Sequence, residues 1–241
     1  MMRLVAHRGR FGTSPENAVA GLRTLPGPGY GVEVDVRRTR DGHLVLHHDP
    51  DLGRTTGGHG MIAELDLAEV RTQCLADGAR VPTLEEYLEA CEVAPASPIL
   101  IDVKHDDPAT LARVADITLA AAVRERCLVL VRSVEGAAQL RELTTELCLG
   151  LLRVTLADVE TKIAGARAHG ASMLFIHHGD DAYLANRQAV GTIRAAGLSP
   201  AASTLQRPDT LLAAHRDGCV LALVDALPSP SQGTELRGEW P

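Results

Sequence analysis

The stretch Ile99-Leu100-Ile101-Asp102-Val103-Lys104-His105-Asp106-Asp107-Pro108 decides the fold. Its first five residues are apolar but for one carboxylate and read as a buried strand. Asp106 or Asp107 followed by Pro108 reads as a helix N-cap with proline in the first turn. The same beat of strand then helix repeats downstream. Strands are expected at 128–131, 147–152, 173–176, 198–202 and 220–224, with helices starting at Val134, Ala157, Ala182 and Pro208. Upstream lie short apolar strands at 4–6 and 31–36, and Ser14-Pro15-Glu16 between them reads as another helix start. Roughly eight strands, each but the last followed by a helix, indicate an α/β chain folded as a (β/α)8 TIM barrel. A doubly wound open sheet shares the local pattern, but the strand count and the length of 241 residues favour closure.

Residues 43–82 fall outside the beat and read as a small insertion after the second strand. They hold a possible extra strand at 44–47 and a glycine-rich loop at 55–60. Thr83-Leu84-Glu85-Glu86 then makes a capping box for the helix before Ile99. From residue 228 the chain is rich in Pro, Ser, Gly and Gln, and 228–241 is expected to be a flexible tail. The whole, 1–241, reads as one catalytic domain.

Composition narrows the function. The net charge of −7, with one Trp, three Tyr and two Phe, argues against nucleic acid, which asks for a basic face and stacking rings. No apolar run approaches the roughly 20 residues of a membrane span, and His7 follows Met1 too soon for a signal peptide, so a cytoplasmic location is expected. The five cysteines form no C-x-x-C pair and are odd in number, which suggests buried, reduced thiols.

The chemistry sits at strand ends. Glu33 and Asp35 are two apart in a strand and share a face; Asp102 ends the next parallel strand, and Lys104 lies two beyond it. Three carboxylates without a sulfur ligand make a hard-oxygen site suited to Mg²⁺ or Ca²⁺. His7 closes the first strand and is followed by Arg8, whose planar fork suits a phosphate, and by Gly9. A second imidazole comes from His47 or His48, which adjacent positions on a strand would turn to opposite faces; spacing alone does not choose between them. Acid and base on opposite sides of a phosphorus are what phosphodiester cleavage requires. His177-His178-Gly179-Asp180-Asp181 also follows a strand, but its spacing names no metal and it carries little weight.

Ala6-His7-Arg8-Gly9, Ser14-Pro15-Glu16-Asn17, Val32-Glu33-Val34-Asp35-Val36, Thr39-Arg40-Asp41-Gly42, Val45-Leu46-His47-His48-Asp49, Arg54-Thr55-Thr56-Gly57, Val81-Pro82-Thr83-Leu84-Glu85 and Ile101-Asp102-Val103-Lys104 follow one another in a recognisable order. In that order and spacing they resemble the glycerophosphodiester phosphodiesterases. The resemblance implies a TIM barrel hydrolysing small glycerophosphodiesters, with His7 and His48 as acid and base. Glu33, Asp35 and Asp102 would be the metal ligands, and Arg8 and Lys104 the phosphate contacts. Two departures stand out: the family usually has Glu at the position of Asp102, and Trp-Thr-Val-Asn where this chain has Ser203-Thr204-Leu205-Gln206. The first bears on the metal site, and the second removes an aromatic wall from the substrate pocket. Rival expectations are a phospholipase D-like enzyme acting on lysolipids or sphingomyelin, and a barrel that binds a phosphoester without cleaving it.

Overall fold

The computed structural model describes residues 2–10, 13–27 and 29–225. The strands β1 (Arg3–Ala6), β2 (Gly31–Arg38), β3 (Leu44–Leu46), β4 (Ile99–Val103), β5 (Cys127–Val131), β6 (Cys148–Val154), β7 (Met173–Ile176), β8 (Ser199–Leu205) and β9 (Leu221–Val224) form one sheet. Eight of them pair in parallel around a ring, β1-β2-β4-β5-β6-β7-β8-β9, and β9 pairs back onto β1. The sheet is the closed barrel that the alternating pattern predicts. β3 lies outside the ring, antiparallel to the far end of β2, with Val36 opposite Leu46.

Helices follow the strands in turn. Between β3 and β4 come the single turns α1 (Gly53–Thr56) and α2 (Leu67–Val70), then α3 (Leu84–Val93). After the later strands come α4 (Pro108–Ala120), α5 (Val134–Leu143), α6 (Val159–His169), α7 (Asp180–Asn186), α8 (Gln188–Ala195) and α9 (Pro208–Asp217). Their starts are written in side chains. The Thr83–Glu86 capping box forms at α3, Asp107 takes the Thr110 amide at 3.0 Å to cap α4, and Ser133 takes the Gly136 amide at 2.9 Å to cap α5.

One expected helix is absent. Residues 14–18 form an irregular loop before a 3-10 turn at Val19–Thr24. The reason is tertiary: Glu16 turns inward to bind Arg8 and Arg54, and Asn17 adopts φ +55° while bonding Asp35. A capping signature loses here to the site it borders. The thiol expectation is also only partly met: Cys91, Cys127 and Cys219 are buried, but Cys74 and Cys148 are exposed. The expected tail at 228–241 lies outside the described residues.

Alternation along each strand divides the apolar residues between two cores. Leu4, Ala6, Ile99, Ile101, Val103, Val129 and Val131 face outward and pack with helix residues such as Leu111, Leu140 and Ile163. Val5, Leu100, Leu128, Leu130, Leu152, Met173, Phe175, Ala201, Leu221 and Leu223 fill the barrel interior. The interior is tight: a Cβ on Gly150 would lie 2.8 Å from a Leu130 methyl and 3.3 Å from the Phe175 ring. Truncating Leu130 or Phe175 to Ala would cost about 2–5 kcal/mol. A third, smaller core of Val45, Leu52, Ile62, Val70, Leu75 and Val81 holds the 43–82 segment together over the mouth beside β2.

Candidate active site

The interior phase that buries leucines low in the barrel delivers charged groups at its C-terminal end. Val5 points inward, so His7 does also. Glu33 pairs with inward Leu100, and Asp35 with Asp102, which itself pairs with inward Leu130. Continuing by twos brings Lys104 and Arg132 to the same mouth. His7, Arg8, Glu33, His48, Asp102, Lys104, Arg132 and Arg153 are among the lining of one cavity of about 460 Å³.

The three carboxylates converge. Glu33, Asp35 and Asp102 each offer an oxygen, and these atoms lie within 4.8 Å of one another. Asp35 is fully buried; Asn17 Nδ2 donates to it at 2.7 Å, and its own amide donates to Asn17 Oδ1 at 2.9 Å. Lys104 Nζ lies against Asp35 Oδ1 and donates to Asp102 Oδ2 at 2.6 Å. Arg132 donates to both oxygens of Asp102, at 2.8 and 2.9 Å. Glu33 receives the Arg8 amide at 2.8 Å. That contact requires the sharp turn after β1, where Arg8 and Gly9 both take positive φ and a Cβ on Gly9 would press to 3.0 Å from the Tyr87 hydroxyl.

Electrostatics separate the trio. Burial, then the charge of Asp35, drives the Glu33 carboxyl well above its ordinary pKa. Burial would raise Asp35 too, but Lys104 and the Asn17 hydrogen bond outweigh it and hold the group low. A Glu33 carboxyl that ionises with difficulty where it is buried would be eased by a cation placed among the three converging oxygens. All-oxygen ligands in such a set fit a hard divalent cation.

Two imidazoles flank this centre, each held by a carboxylate on Nδ1. His7 Nδ1 donates to Asp225 Oδ1 at 2.7 Å, and His48 Nδ1 to Asp49 Oδ1 at 2.7 Å, which leaves each Nε2 for a ligand. Their basicities diverge. Burial alone would lower His7, but the Asp225 hydrogen bond and the charge of Glu33 outweigh it and raise the pKa. Burial lowers His48, and Asp49 offsets that only in part. His47 is directed elsewhere: it is buried, with Nε2 against Thr55 Oγ1 at 2.6 Å and Nδ1 against the Asp49 carbonyl at 3.0 Å, and it does not line the cavity.

The insertion is tied to the β1 loop by charge. Arg54 binds Asp49 through Nε, and reaches both Glu16 oxygens at 2.6 and 2.9 Å; Glu16 in turn binds Arg8 at 3.1 Å. The Arg54 pairing, with Arg8 beside it, holds Glu16 below its ordinary pKa against the opposing effect of burial. Thus His48 and Arg8 are positioned by a single run of ion pairs.

The structure therefore gathers His7, Arg8, Glu33, Asp35, His48, Asp102 and Lys104 at one place, with Asp35 beneath the lining. It adds groups to which the sequence assigned no role, Asp225, Arg132, Arg153 and Asn17, and it brings His178, given little weight in the sequence, to the mouth with its ring centroid 5.7 Å from that of His7. Asp225 and Arg132 were findable, because each lies two residues past an inward leucine at a strand end. Ser203 and Thr204 line the cavity where the aromatic wall was expected to be missing.

A closed parallel barrel with imidazoles and carboxylates around its C-terminal mouth defines the class: a TIM barrel with a polar site in the position where such folds carry one. The chain belongs to the glycerophosphoryl diester phosphodiesterase family, which it matches over residues 7–224. It is 37% identical over 94 residues to the glycerophosphodiester phosphodiesterase of Caldanaerobacter subterraneus subsp. tengcongensis, covering 36% of this chain and 39% of that protein. It is 37% identical over 119 residues to glycerophosphodiester phosphodiesterase 1 of Rattus norvegicus, covering 45% of this chain and 36% of that one. The chain thus spans less than half the length of these curated relatives. Among solved structures, an Oleispira antarctica phosphodiesterase in complex with the product sn-glycerol-3-phosphate superposes with a TM-score of 0.80 at 22% identity, covering 92% of both chains. A putative glycerophosphoryl diester phosphodiesterase from Agrobacterium tumefaciens gives 0.79 at 24%, covering 98% of this chain and 97% of that one. At these identities the structural likeness speaks for the fold.

Proposed function

We propose that this chain hydrolyses glycerophosphodiesters to glycerol 3-phosphate and an alcohol, as a metal-dependent enzyme using His7 and His48. The observation that carries the reading is the convergence of two carboxylate-held imidazoles and a buried carboxylate trio on one cavity. Glu33, Asp35 and Asp102 would hold a divalent cation, Mg²⁺ or Ca²⁺, which when bound supplies Lewis-acid polarisation of a phosphoryl oxygen.

The remaining work falls to the chain's own groups. Arg8 and Lys104 neutralise charge on the phosphoryl oxygens as the nucleophile arrives. His48, whose lowered pKa leaves it neutral near pH 7, takes the proton of the attacking group. That group is either water, which gives glycerol 3-phosphate directly, or the neighbouring glycerol hydroxyl, which gives a cyclic phosphate that a water then opens with the two histidines in exchanged roles. As the far P–O bond breaks, His7, whose raised pKa favours the protonated form, donates its proton to the departing alkoxide. Asp225 and Asp49 fix the two rings so that Nε2 does the transfer in each.

Among the described residues no helix is long and apolar enough to cross a membrane. We read 1–241 as one catalytic domain acting on small substrates in the cytoplasm, where its five free cysteines would stay reduced. The test is release of glycerol 3-phosphate from soluble glycerophosphodiesters, with EDTA and then with Mg²⁺ or Ca²⁺ restored. Release that EDTA abolishes and metal restores is expected. Turnover only of detergent-dispersed lysolipid, or a ligand-induced rise in Tm without product, would replace the reading with one of its rivals.

A further inference from the structure

Four cations line the cavity, and three of them are spoken for. Arg8 faces Glu16 and Asp35, Lys104 lies between Asp35 and Asp102, and Arg132 grips Asp102 with both carboxylate oxygens. Arg153 is different. Among the described residues its side chain has no ion pair and no hydrogen bond, and it is exposed between buried Leu152 and Val154.

Its presence in the cavity runs against the strand's own alternation. Leu152 belongs to the barrel interior, so a regular β6 would turn Arg153 outward, toward the helices. The pairing with β7 prevents this: Leu151 pairs with Leu174 and Val154 with Ile176, so β6 carries one extra residue over that interval. Within it Arg153 takes φ +60°, a left-handed conformation disfavoured for any residue with a Cβ. A bulge of this kind re-aims a side chain, and strained backbone of this kind collects at binding sites.

The neighbourhood offers Arg153 no internal neutraliser. Lys162 Nζ donates to the Arg132 carbonyl at 2.6 Å and to that of Leu152 at 3.4 Å, adding a third positive group at this rim. The nearby carboxylates do not pair with it: Asp106 Oδ2 accepts from the Arg132 and Ser133 amides and the Ser133 hydroxyl, and Asp158 Oδ1 from the Thr155 amide and hydroxyl. Around the ring β6 stands four strands from β1 in either direction. Arg153 therefore sits across the mouth from His7 and Arg8. A phosphodiester held at β1, β2 and β4 would extend one of its two halves across the cavity toward this guanidinium.

We propose that Arg153 determines specificity by binding an anionic group, a carboxylate or a second phosphate, on the alcohol half of the phosphodiester. This rests on the phosphodiesterase reading above and narrows it: a cationic alcohol such as choline would meet an unshielded positive charge, and an uncharged one would leave Arg153 unpaired.

The test compares kcat/KM for four soluble substrates: glycerophosphocholine, glycerophosphoglycerol, glycerophosphoglycolate and glycerophosphoinositol 4-phosphate. Wild type is expected to favour at least one of the two anionic substrates by about ten-fold over the neutral one, chiefly through KM, as one partly desolvated ion pair would give. Which of the two is favoured separates carboxylate from phosphate. Arg153→Gln should collapse that ratio to about two-fold or less, and Arg153→Lys should keep most of it. Arg153→Gly removes the charge while suiting the left-handed backbone, so it gives the same reading if Arg153→Gln does not fold. Equal use of neutral and anionic substrates by wild type, or a preference that survives Arg153→Gln and Arg153→Gly, overturns the inference alone. No hydrolysis of any of the four under metal overturns the phosphodiesterase reading, and the inference falls with it.

Discussion

The two halves of the barrel mouth are built on opposite plans. On the side of β1, β2 and β4 every charged group has a partner: His7 with Asp225, His48 with Asp49, Arg8 with Glu16, Lys104 with two carboxylates. On the side of β6 to β8 the lining is Leu152, Arg153, two histidines, Ser203 and Thr204, and Arg153 stands without a partner among the described residues. Groups that move protons need fixed geometry, which mutual pairing supplies. Groups that select a substrate need an unmet demand, which a lone cation supplies. On the proposed function, chemistry and selection are divided between the halves.

The division breaks first at the imidazoles. His7→Ala and His48→Ala are each expected to lower kcat by ~10²–10⁴ with an unchanged circular dichroism spectrum. Near-wild-type turnover in either would remove that side chain from the mechanism. Next comes the hold on His7. Asp225→Asn should cost about ten-fold in kcat, as expected when the group orienting a general acid is weakened. Burial lowers the His7 pKa and Asp225 raises it, so the substitution should also shift the basic limb of the kcat/KM profile to lower pH. A profile that does not move would leave Asp225 with a packing role only.

A smaller effect concerns stability. Glu33 has a folded pKa above its ordinary value, so the folded state binds the extra proton more firmly. Stability is then lost as pH rises from the unfolded pKa through the folded one. In EDTA, Glu33→Gln should melt with the wild type at pH 5, and about 2–4 °C above it at pH 8 for each kcal/mol regained. A higher Tm at pH 5 and none at pH 8 would reverse the sign and refute the burial argument. The smallest effect should come from Arg54→Gln. Its side chain is half exposed, so the ion pairs it makes with Asp49 and Glu16 are screened, and a loss of about two-fold in kcat/KM is expected. A hundred-fold loss would show that the insertion does more than align His48.

Much of the paired half could be read in the residues themselves. Glu33, Asp35 and Asp102 follow from strand alternation, and the barrel follows from the beat that starts at Ile99. The choice between His47 and His48 did not, because it depends on Thr55 and the Asp49 carbonyl turning His47 away after β3 ends at Leu46. Ser14-Pro15-Glu16 misled, since its helix signal is local while Glu16 answers to Arg54, 38 residues on. Arg153 was illegible for a related reason: its direction is set by one extra residue in β6, visible only against β7.

The seam of the barrel carries a further consequence. His7 and Asp225 are separated by 218 residues, and they meet only because β9 docks on β1. His7, Glu33, Asp35, His48 and Asp102 all lie between residues 7 and 102, far along the chain from Asp225. The ring of His7 stays unsteered until the final strand arrives. The steering of His7 is thus a property of the closed ring, which no run of neighbouring strands in sequence supplies.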